Sequence, residues 1–334
     1  MSGQTFRWRR TSEANVFAGP VKRSLVLLKE LKDDTLFAVP AGEHKKKPEH
    51  ARDELSMLFD FDTDLGSLYD DWSAKDERIR EIAPHLCGIR LLNQCPYENT
   101  FAFICSSNNN IKRITLMVDY LSKQGDFIGE YEGVNYHVWP TLSQLGDLTE
   151  EDLRANGFGY RAKFITKAVH MLLNEKDANW LPSLASEDTD TVNKMLQELP
   201  GVGRKVASCI SLMSLGKFDS IPCDTHVLQI AIRDYGMTVP VTKTLTDRVA
   251  NQVGEIFRKK FGEYAGYAQT ILFVADVPDF KRLLPEELQR DAFTLKPSDL
   301  KTSSRMEGKR KANAKGASMK KKKGKGIKKR KTKQ

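Results

Sequence analysis

Cysteines are few in this sequence and follow no regular spacing. The 334-residue chain has five of them, Cys87, Cys95, Cys105, Cys209 and Cys223. An odd number without regular spacing fits neither a disulfide framework nor a set of metal ligands. No apolar run approaches the ~18 residues that a membrane span needs, and the first residues become charged at Arg7, which argues against a secretory signal. We therefore expect a soluble protein of a reducing compartment that does not contact a membrane.

Acidic residues are almost absent from the last 34 positions. Residues 301–334 contain 16 lysines and arginines and a single acid, Glu307, so the formal charge of +9 divides into a basic tail and a body of net charge −6. After Lys296 the sequence has no aromatic residue and almost no aliphatic ones. Such a segment buries too little apolar surface to fold, so we predict that residues 297–334 are disordered.

The hydrophobic period of the remaining sequence changes once. Residues 4–10, 14–21, 24–31 and 35–40 are short apolar runs separated by turn formers, which is typical of an antiparallel meander, and the polar stretch 41–50 predicts a loop. From Ala51 onward apolar residues recur at helical intervals, which predicts about ten helices. The predicted fold class is α+β. We place a small N-terminal antiparallel sheet domain, with some helices, at residues 1–95 and a mainly helical domain at 96–296.

The most informative stretch is MLQELPGVGRKVASCISLM at 195–213. A predicted helix ends at Leu199, a Pro-Gly-Val-Gly turn follows, and a second helix begins at Arg204. Two glycines permit positive φ angles and the close approach of another backbone, and the unpaired amides at the start of the second helix suit a phosphate group. An ordinary helix connection with a glycine cap would share part of this pattern. The two glycines, Gly201 and Gly203, next to a basic residue favour phosphate binding.

Lys205 and Cys209 lie four residues apart in the second helix, so both project from one face. The lysine is either a plain phosphate contact or a nucleophile. The positive end of the helix, the neighbouring Arg204 and burial would lower the pKa of Lys205 toward the range in which a neutral amine attacks a sugar carbon and forms a Schiff base. Asp224 opens another helix in IPCDTH at 221–226. Alone it indicates a helix cap, and together with Lys205 it becomes a candidate carboxylate facing the amine.

The stretches LPGVGRKVA and PCDTHV resemble the helix–hairpin–helix signature of the base-excision DNA glycosylases. Four further stretches, which occur in the expected order, resemble the eukaryotic-type 8-oxoguanine DNA glycosylases: GQTFRW (3–8), FAFICSSNNNIKRI (101–114), GFGYRAKFI (157–165) and EYAGYAQTILFVAD (263–276). The resemblance runs from Gly3 to about Asp276. It implies a sheet domain packed on a helix–hairpin–helix glycosylase body.

The resemblance also implies roles for individual residues. Lys205 would displace the damaged base, and Asp224 would support the sugar cation and the proton transfers. Residues implied to hold the extruded base are Gly3, Cys209, Gln269, Phe273 and Asp276. Gln269 would bind its Watson–Crick edge, Phe273 and Cys209 would stack on its two sides, and Gly3 would accept from N7–H, the donor that 8-oxoguanine has and guanine lacks.

Residues implied to bind DNA are Asn108, Arg113, Tyr160, Arg161, Gly201, Gly203 and His226. Asn108, Arg113 and Arg161 would contact the orphaned cytosine, Tyr160 would enter the base stack, and His226 would contact phosphate. These side-chain types suit the task, because a base must leave the duplex before its glycosidic bond can be reached and the gap must be filled. Each also has an ordinary structural interpretation: Phe273 as a core residue and Asn108 as part of a polar helix cap.

Two positions depart from the family. Further sheet sequence precedes the glycine in the family, whereas Gly3 is the third residue here. We therefore expect the terminus to fray, which would weaken the N7–H contact and the first strand. Either this protein discriminates less well or its true start lies upstream. Ser208 stands where the family commonly has an acid, and we expect little consequence.

Other classes of protein share parts of this pattern. No cysteine follows Cys223, which excludes the four-cysteine iron–sulfur cluster of the endonuclease III and adenine glycosylase branches. Alkyl-base glycosylases of the same fold lack the hairpin lysine. A non-catalytic DNA-binding or chromatin protein would keep the hairpin, but it has no reason to keep Lys205, Asp224, Gln269 and Phe273 together.

We therefore predict a monomeric, bifunctional DNA glycosylase and abasic-site lyase. It would remove 8-oxoguanine, and formamidopyrimidine purines, opposite cytosine from double-stranded DNA and cleave the strand by β-elimination through a lysine Schiff base. No cofactor or catalytic metal is implied. The basic clusters 320–323 and 328–331 predict nuclear localisation, although such runs are also found as merely solvated segments or as elements that raise DNA affinity.

Overall fold

A four-stranded antiparallel meander forms the N-terminal sheet. The computed structural model describes residues 3–32, 34–39, 48–238 and 245–290. The strands, in the spatial order β1-β2-β3-β4, are β1 (Arg9–Arg10), β2 (Val16–Val21), β3 (Ser24–Glu30) and β4 (Thr35–Ala38). The register pairs Val16 with Lys29 and Leu27 with Ala38. The predicted meander is confirmed, but its first strand is only two residues long and residues 4–8 are irregular.

Two further strands form a hairpin that the sequence pattern did not predict. Strand β5 (Phe127–Tyr131) pairs with β6 (Val134–His137). Glu132 and Gly133 at the turn have φ angles of 49° and 74°, as a two-residue turn of the primed type requires. The hairpin contributes Ile128 and Tyr136 to a cluster with two residues of the first sheet. It therefore joins the middle of the chain to the N-terminal region.

Fifteen α-helices lie in the described residues. They are α1 (Pro48–Leu58), α2 (Leu65–Lys75), α3 (Glu77–Ile82), α4 (Pro96–Ser106), α5 (Ile111–Ser122), α6 (Leu142–Gly146), α7 (Glu150–Ala155), α8 (Arg161–Asn174), α9 (Trp180–Ser183), α10 (Thr189–Leu196), α11 (Arg204–Ser214), α12 (Thr225–Tyr235), α13 (Asp247–Phe261), α14 (Ala265–Asp276) and α15 (Pro278–Lys281). The loop predicted at 41–50 is wrong for its last three residues, because a proline is favoured as the first residue of a helix and α1 begins at Pro48. Residues 40–47 lie outside the described ranges.

The main hydrophobic core lies among the helices. Trp72 of α2 and Tyr267 of α14 are fully buried, and their ring centroids are 5.5 Å apart. The core therefore continues across the predicted boundary between the domains 1–95 and 96–296. The boundary itself stays a prediction. A smaller cluster packs Trp8 and Val26 of the sheet region against Leu55 of α1. The α+β class, with a small N-terminal sheet on a helical body, is confirmed.

The expected fraying of the N-terminal segment is wrong for the residues that the structure describes. Gln4 is 4% exposed. Its side chain donates to Arg90 O at 3.0 Å and accepts from Leu92 N at 2.9 Å, so it pairs with a neighbouring backbone as a strand would. Phe6 is also buried. Tertiary contacts of this kind hold a terminal segment that local sequence cannot hold.

Residues predicted to be disordered, 297–334, lie outside the described ranges. Among the described helices, none is both long enough and apolar enough to cross a membrane.

Candidate active site

The turn between α10 and α11 uses its two glycines for different purposes. Gly201 has a φ of 85°, and a Cβ there would lie 2.7 Å from Phe164 Cβ, so only glycine fits. Gly203 has an ordinary extended backbone (φ −88°, ψ 178°), and no atom lies within 4 Å of where its Cβ would be. Gly201 therefore uses the positive φ that glycine permits, whereas Gly203 does not. Gly203 instead leaves open space at the start of α11, where no side chain caps the helix amides.

Lys205 lies one residue inside that helix end, among partners that favour its charged form. Its side chain is hydrogen-bonded to Cys209, and its Nζ lies 5.4 Å from the centroid of the Phe103 ring on α4. Cys209 raises the pKa of the Lys205 ammonium and Asp224 adds to the rise; together they outweigh burial, which lowers it. The lowered pKa expected from the helix end and from Arg204 is therefore wrong. In the folded protein the amine is protonated at neutral pH and must lose a proton before it can attack.

Cys209 stands one helical turn from Lys205 and is 2% exposed. Burial raises the pKa of its thiol, and the neighbouring ammonium only partly offsets this. At neutral pH the sulfur is therefore a thiol that faces an ammonium group.

Asp224 is the N-cap residue of α12. Its Oδ1 accepts from the amides of His226 at 3.0 Å and Val227 at 3.1 Å, so the ordinary cap interpretation is correct. Both bonds go to one oxygen, and in the described residues no hydrogen bond occupies Oδ2. The negative charge of Asp224 also raises the pKa of Lys205, so the carboxylate both caps α12 and favours the charged form of the amine.

Helix α14 brings Gln269 and Phe273 to the same region. Gln269 is 3% exposed, yet its side-chain amide has no hydrogen-bond partner within the described ranges. The Phe273 ring is only half-buried and meets the exposed His226 edge-on, with ring centroids 6.2 Å apart at 80°. The amide nitrogen and oxygen of Gln269 are not among the fully buried, unpartnered side-chain atoms of the described residues. The amide end therefore reaches the surface beside the partly open ring of Phe273, where it is available to a ligand.

Asp276 is at the end of α14 and joins that helix to α12. Its Oδ2 lies 3.0 Å from Arg233 Nη1, and its buried Oδ1 has no hydrogen-bond partner among the described residues. The substrate contact implied for Asp276 stays a prediction, since the structure gives its carboxylate a contact between two helices.

Four of the residues implied to bind DNA lie in or next to the loops that precede α5 and α8. Arg161 is 2% exposed and donates to the carbonyls of Ser107 and, at 3.1 Å, Asn108. The Tyr160 hydroxyl donates to Ser107 O at 3.0 Å, while the Tyr160 ring is 48% exposed. Arg113 is exposed and donates to Gly157 O at 2.7 Å. The structure therefore brings these residues together at one surface.

Asn108 completes this group with a left-handed backbone, at a φ of 48°. Its side chain is exposed. The cap interpretation applies to Asn110 instead, whose side chain accepts from Arg113 N at 3.1 Å. Asn108 is thereby free of the capping role that the sequence left open for it.

Sequence reasoning missed three residues beside these groups. Phe103 faces Lys205, Arg233 binds Asp276, and Gln4 holds the segment that begins with Gly3. No local signal marks them, because each contact joins elements that are distant in sequence. Within the ranges the structure describes, no group of three or more His, Cys, Asp or Glu side chains is arranged to hold a metal ion.

Known proteins resemble this chain in sequence. A family model described as the N-terminal domain of 8-oxoguanine DNA glycosylase matches residues 1–100. The chain is 42% identical over 286 residues to the N-glycosylase/DNA lyase OGG1 of Arabidopsis thaliana, which covers 85% of this chain and 77% of the relative. It is 33% identical over 308 residues to the N-glycosylase/DNA lyase of Saccharomyces cerevisiae, and this match covers 83% of this chain and 81% of the relative.

A solved structure is similar along most of the chain. It is the 8-oxoguanine glycosylase/lyase of Clostridium acetobutylicum in complex with double-stranded DNA containing cytosine opposite 8-oxoguanine. The TM-score is 0.69 at 28% sequence identity, and the match covers 81% of this chain and 88% of the other.

Proposed function

Because the chain belongs to the family of eukaryotic-type 8-oxoguanine DNA glycosylases, we propose that it removes 8-oxoguanine paired with cytosine through a covalent lysine intermediate. The chain is a base-excision repair enzyme that combines a DNA N-glycosylase with a DNA lyase. The observation that carries the finer proposal is the placement of Lys205 at the start of α11, where its side chain is hydrogen-bonded to Cys209 and feels the charge of the Asp224 carboxylate.

In the proposed reaction, Lys205 is the nucleophile. Its ammonium first gives a proton to the Asp224 carboxylate, and the free amine then attacks C1′ of the damaged nucleotide while the glycosidic bond breaks. The base departs with the bonding electron pair and takes up that proton from Asp224, which returns to the carboxylate form. Asp224 stabilises the positive charge that develops on the sugar, since a carboxylate close to a cation in a site with little water is strongly favourable. Opening of the sugar ring leaves a Schiff base between Lys205 and C1′.

The lyase step follows from that Schiff base. The iminium group makes the C2′ proton acidic, and its removal expels the phosphate on the 3′ side by β-elimination. Water then hydrolyses the imine and returns the free amine of Lys205. No protein group is consumed, so the cycle closes on the residues described.

The extruded base is proposed to lie between Phe273 and Cys209. The unpartnered amide of Gln269 supplies a donor and an acceptor for the Watson–Crick edge, and the open face of Phe273 supplies a stacking surface. Gly3 accepts from N7–H. Formamidopyrimidine purines keep a similar polar edge and are proposed as a second substrate class.

Duplex DNA is proposed to bind by local contacts, since the body carries a net charge of −6. The uncapped amides at Gly203 suit a phosphate, and the exposed His226 in the first turn of α12 is proposed as a further phosphate contact. Tyr160 enters the stack where the base has left, and Asn108, Arg113 and Arg161 surround the orphaned cytosine. A single chain carries all of these groups, so we propose that the enzyme acts as a monomer.

The direct test is chemical trapping. The native protein is incubated with a duplex containing 8-oxoguanine opposite cytosine in the presence of borohydride, which reduces a Schiff base to a stable amine. We expect a covalent protein–DNA adduct that Lys205→Gln does not form. Lys75→Gln, which changes an exposed lysine of α2, is the matched control and should trap normally. Absence of an adduct with the native protein would rule out the lysine mechanism.

Nuclear localisation is proposed from the basic clusters 320–323 and 328–331. Deletion of 301–334 should exclude a fluorescent fusion from the nucleus. The DNA affinity of the deleted protein and of the full chain is then measured at two salt concentrations. Since electrostatic binding weakens steeply with salt, this comparison separates the targeting role from a contribution to DNA binding. A deleted protein that still enters the nucleus would exclude the targeting role.

A further inference from the structure

One side chain fixes the segment that precedes the N-terminal sheet. Gln4 donates to Arg90 O at 3.0 Å and accepts from Leu92 N at 2.9 Å, while its own carbonyl accepts from Gln94 Nε2 at 2.9 Å. We call these four residues the Gln4 clamp. Gln4 and Gln94 are 4% and 8% exposed, so their hydrogen bonds are shielded from competing water.

The Gln4 clamp is tied directly to helix α11. The backbone amide of Gln94 donates to Met213 O at 2.8 Å, and Met213 lies one helical turn after Cys209. The segment on the other side of Gln4 also contacts the reaction centre. Phe6 meets Phe103 edge-on with ring centroids 6.1 Å apart, and Phe103 faces the Lys205 ammonium.

Gly3, the residue before Gln4, cannot hold its own conformation. Its φ is 80°, and no atom lies within 4 Å of where its Cβ would be. Glycine populates positive and negative φ about equally, so a fixed position for its carbonyl must come from the next residue. Gln4 is the residue whose side chain and carbonyl are both bonded to another segment.

We propose that Gln4 is a positioning residue for damage recognition, which holds the Gly3 carbonyl in place so that the pocket accepts 8-oxoguanine and disfavours guanine. The inference rests on the proposed function, in which Gly3 faces N7 of the extruded base. A fixed carbonyl gains a hydrogen bond from N7–H of 8-oxoguanine and opposes the N7 lone pair of guanine, so it discriminates by attraction and by repulsion. A carbonyl free to move away would lose both effects.

Two variants of Gln4 test this. Gln4→Leu removes both side-chain bonds at similar volume, and Gln4→Glu keeps the acceptor for Leu92 N but faces Arg90 O with a second acceptor. Gln124→Leu is the matched control, because Gln124 makes a single local bond to Tyr120 O at 3.0 Å. Each change is made in the native chain and in the Lys205→Gln background, which we expect to bind DNA without turnover.

The first measurement is the ratio of dissociation constants for duplexes with guanine and with 8-oxoguanine opposite cytosine. We expect this ratio to fall about ten-fold in Gln4→Leu, since small misplacements of a recognition group have effects of this order. The second measurement compares single-turnover excision of 8-oxoguanine with nicking of a preformed abasic site, which has no base to recognise. Excision should fall about ten-fold, while abasic nicking should stay within about two-fold of native.

An unchanged affinity ratio in Gln4→Leu would overturn the inference. A parallel loss of excision and abasic nicking would also overturn it, because it would show that the Gln4 clamp only supports the fold. If Gln4→Leu does not fold, Gln94→Leu replaces it, because it removes the hydrogen bond to the Gln4 carbonyl. Gln94→Leu must then lower the ratio of the dissociation constants for guanine and 8-oxoguanine duplexes, or the inference is wrong. Failure of the native protein to form the borohydride adduct would instead contradict the proposed function.

Discussion

The reaction centre and the DNA-facing loops of this protein are built in different ways. Helices α11 and α14 place Lys205 with Cys209, and Gln269 with Phe273, by the four-residue spacing that puts side chains on one helix face. The loops 106–110 and 157–160 are instead held together by side chains that donate to backbone carbonyls, above all Arg161. The first region is organised before DNA arrives. In the proposed complex with DNA, Arg161 exchanges its carbonyl partners for atoms of the cytosine, so we expect the contacts of the second region to change on binding.

The sharpest test of the preorganised region is Asp224→Asn. Asparagine caps a helix about as well as aspartate, so the temperature of unfolding should stay close to native. The variant removes the negative charge that faces Lys205, and we expect single-turnover base release to slow by about 10²- to 10³-fold, as is typical when a group that stabilises transition-state charge is lost.

Asp224→Ala separates the two roles further. It should lose the same activity and, in addition, about 1 kcal/mol of stability with the cap. An Asp224→Asn enzyme with native turnover would show that the carboxylate only caps the helix. The proposed organisation of the reaction centre for chemistry would then be wrong at Asp224.

The two hairpin glycines provide the next largest effect. Gly201→Ala forces alanine into a positive φ and against Phe164, and should lower the free energy of unfolding by about 2 kcal/mol or more. Gly203 has an ordinary backbone conformation and open space around it. Gly203→Ala should therefore lower the free energy of unfolding by much less than Gly201→Ala does. Because its methyl group would occupy the space at the α11 amides, it should weaken DNA binding instead. Denaturant unfolding and DNA titration of both variants check the contrast, and equal losses of stability would contradict it.

In the loop region, Arg161→Lys should relax the choice of the opposite base. Lysine keeps the charge but lacks the planar fork that spans two acceptors. We expect the preference for cytosine over adenine opposite 8-oxoguanine to fall about ten-fold, the lower range for loss of one specific base contact. Single-turnover excision from the two duplexes measures it. Arg113→Lys makes the same change at an exposed position and serves as the comparison. An Arg161→Lys enzyme with the native preference for cytosine over adenine would show that Arg161 does not recognise the cytosine.

The smallest effect concerns pH. Only the neutral amine of Lys205 attacks, so borohydride trapping at a preformed abasic site should rise with pH toward the raised pKa of Lys205. Cys209 is the largest cause of that rise. Cys209→Ala should therefore lower the pKa of Lys205 and move the rising limb of the profile to lower pH. Cys105→Ala is the control, because burial raises the pKa of Cys105 to about 12 at a position away from Lys205. If the rising part of the pH profile does not move in Cys209→Ala, the proposed effect of Cys209 on the pKa of Lys205 is excluded.

Much of the fold was accessible from local patterns. The meander was predicted from its apolar runs. The start of α12 agrees with the helix predicted to open at Asp224, because the Asp224 side chain caps that end. The β5–β6 hairpin was missed because Gly129 interrupts β5 and the polar residues Asn135 and His137 lie in β6, so neither strand forms an apolar run. The start of α1 was misplaced because the polar residues around Pro48 resemble a loop.

The sequence by itself determined the chemistry that this protein carries: an amine and a thiol on one helix face, a carboxylate at a helix start, and an amide and an aromatic ring on another helix. Helical periodicity and capping are local, and residues four apart meet in any context. The tertiary structure alone decided the charge state of Lys205, the burial of Arg161 and the anchoring of Gly3 through Gln4. Each of these depends on partners that are distant in sequence, since burial and electrostatic neighbours are properties of the folded chain.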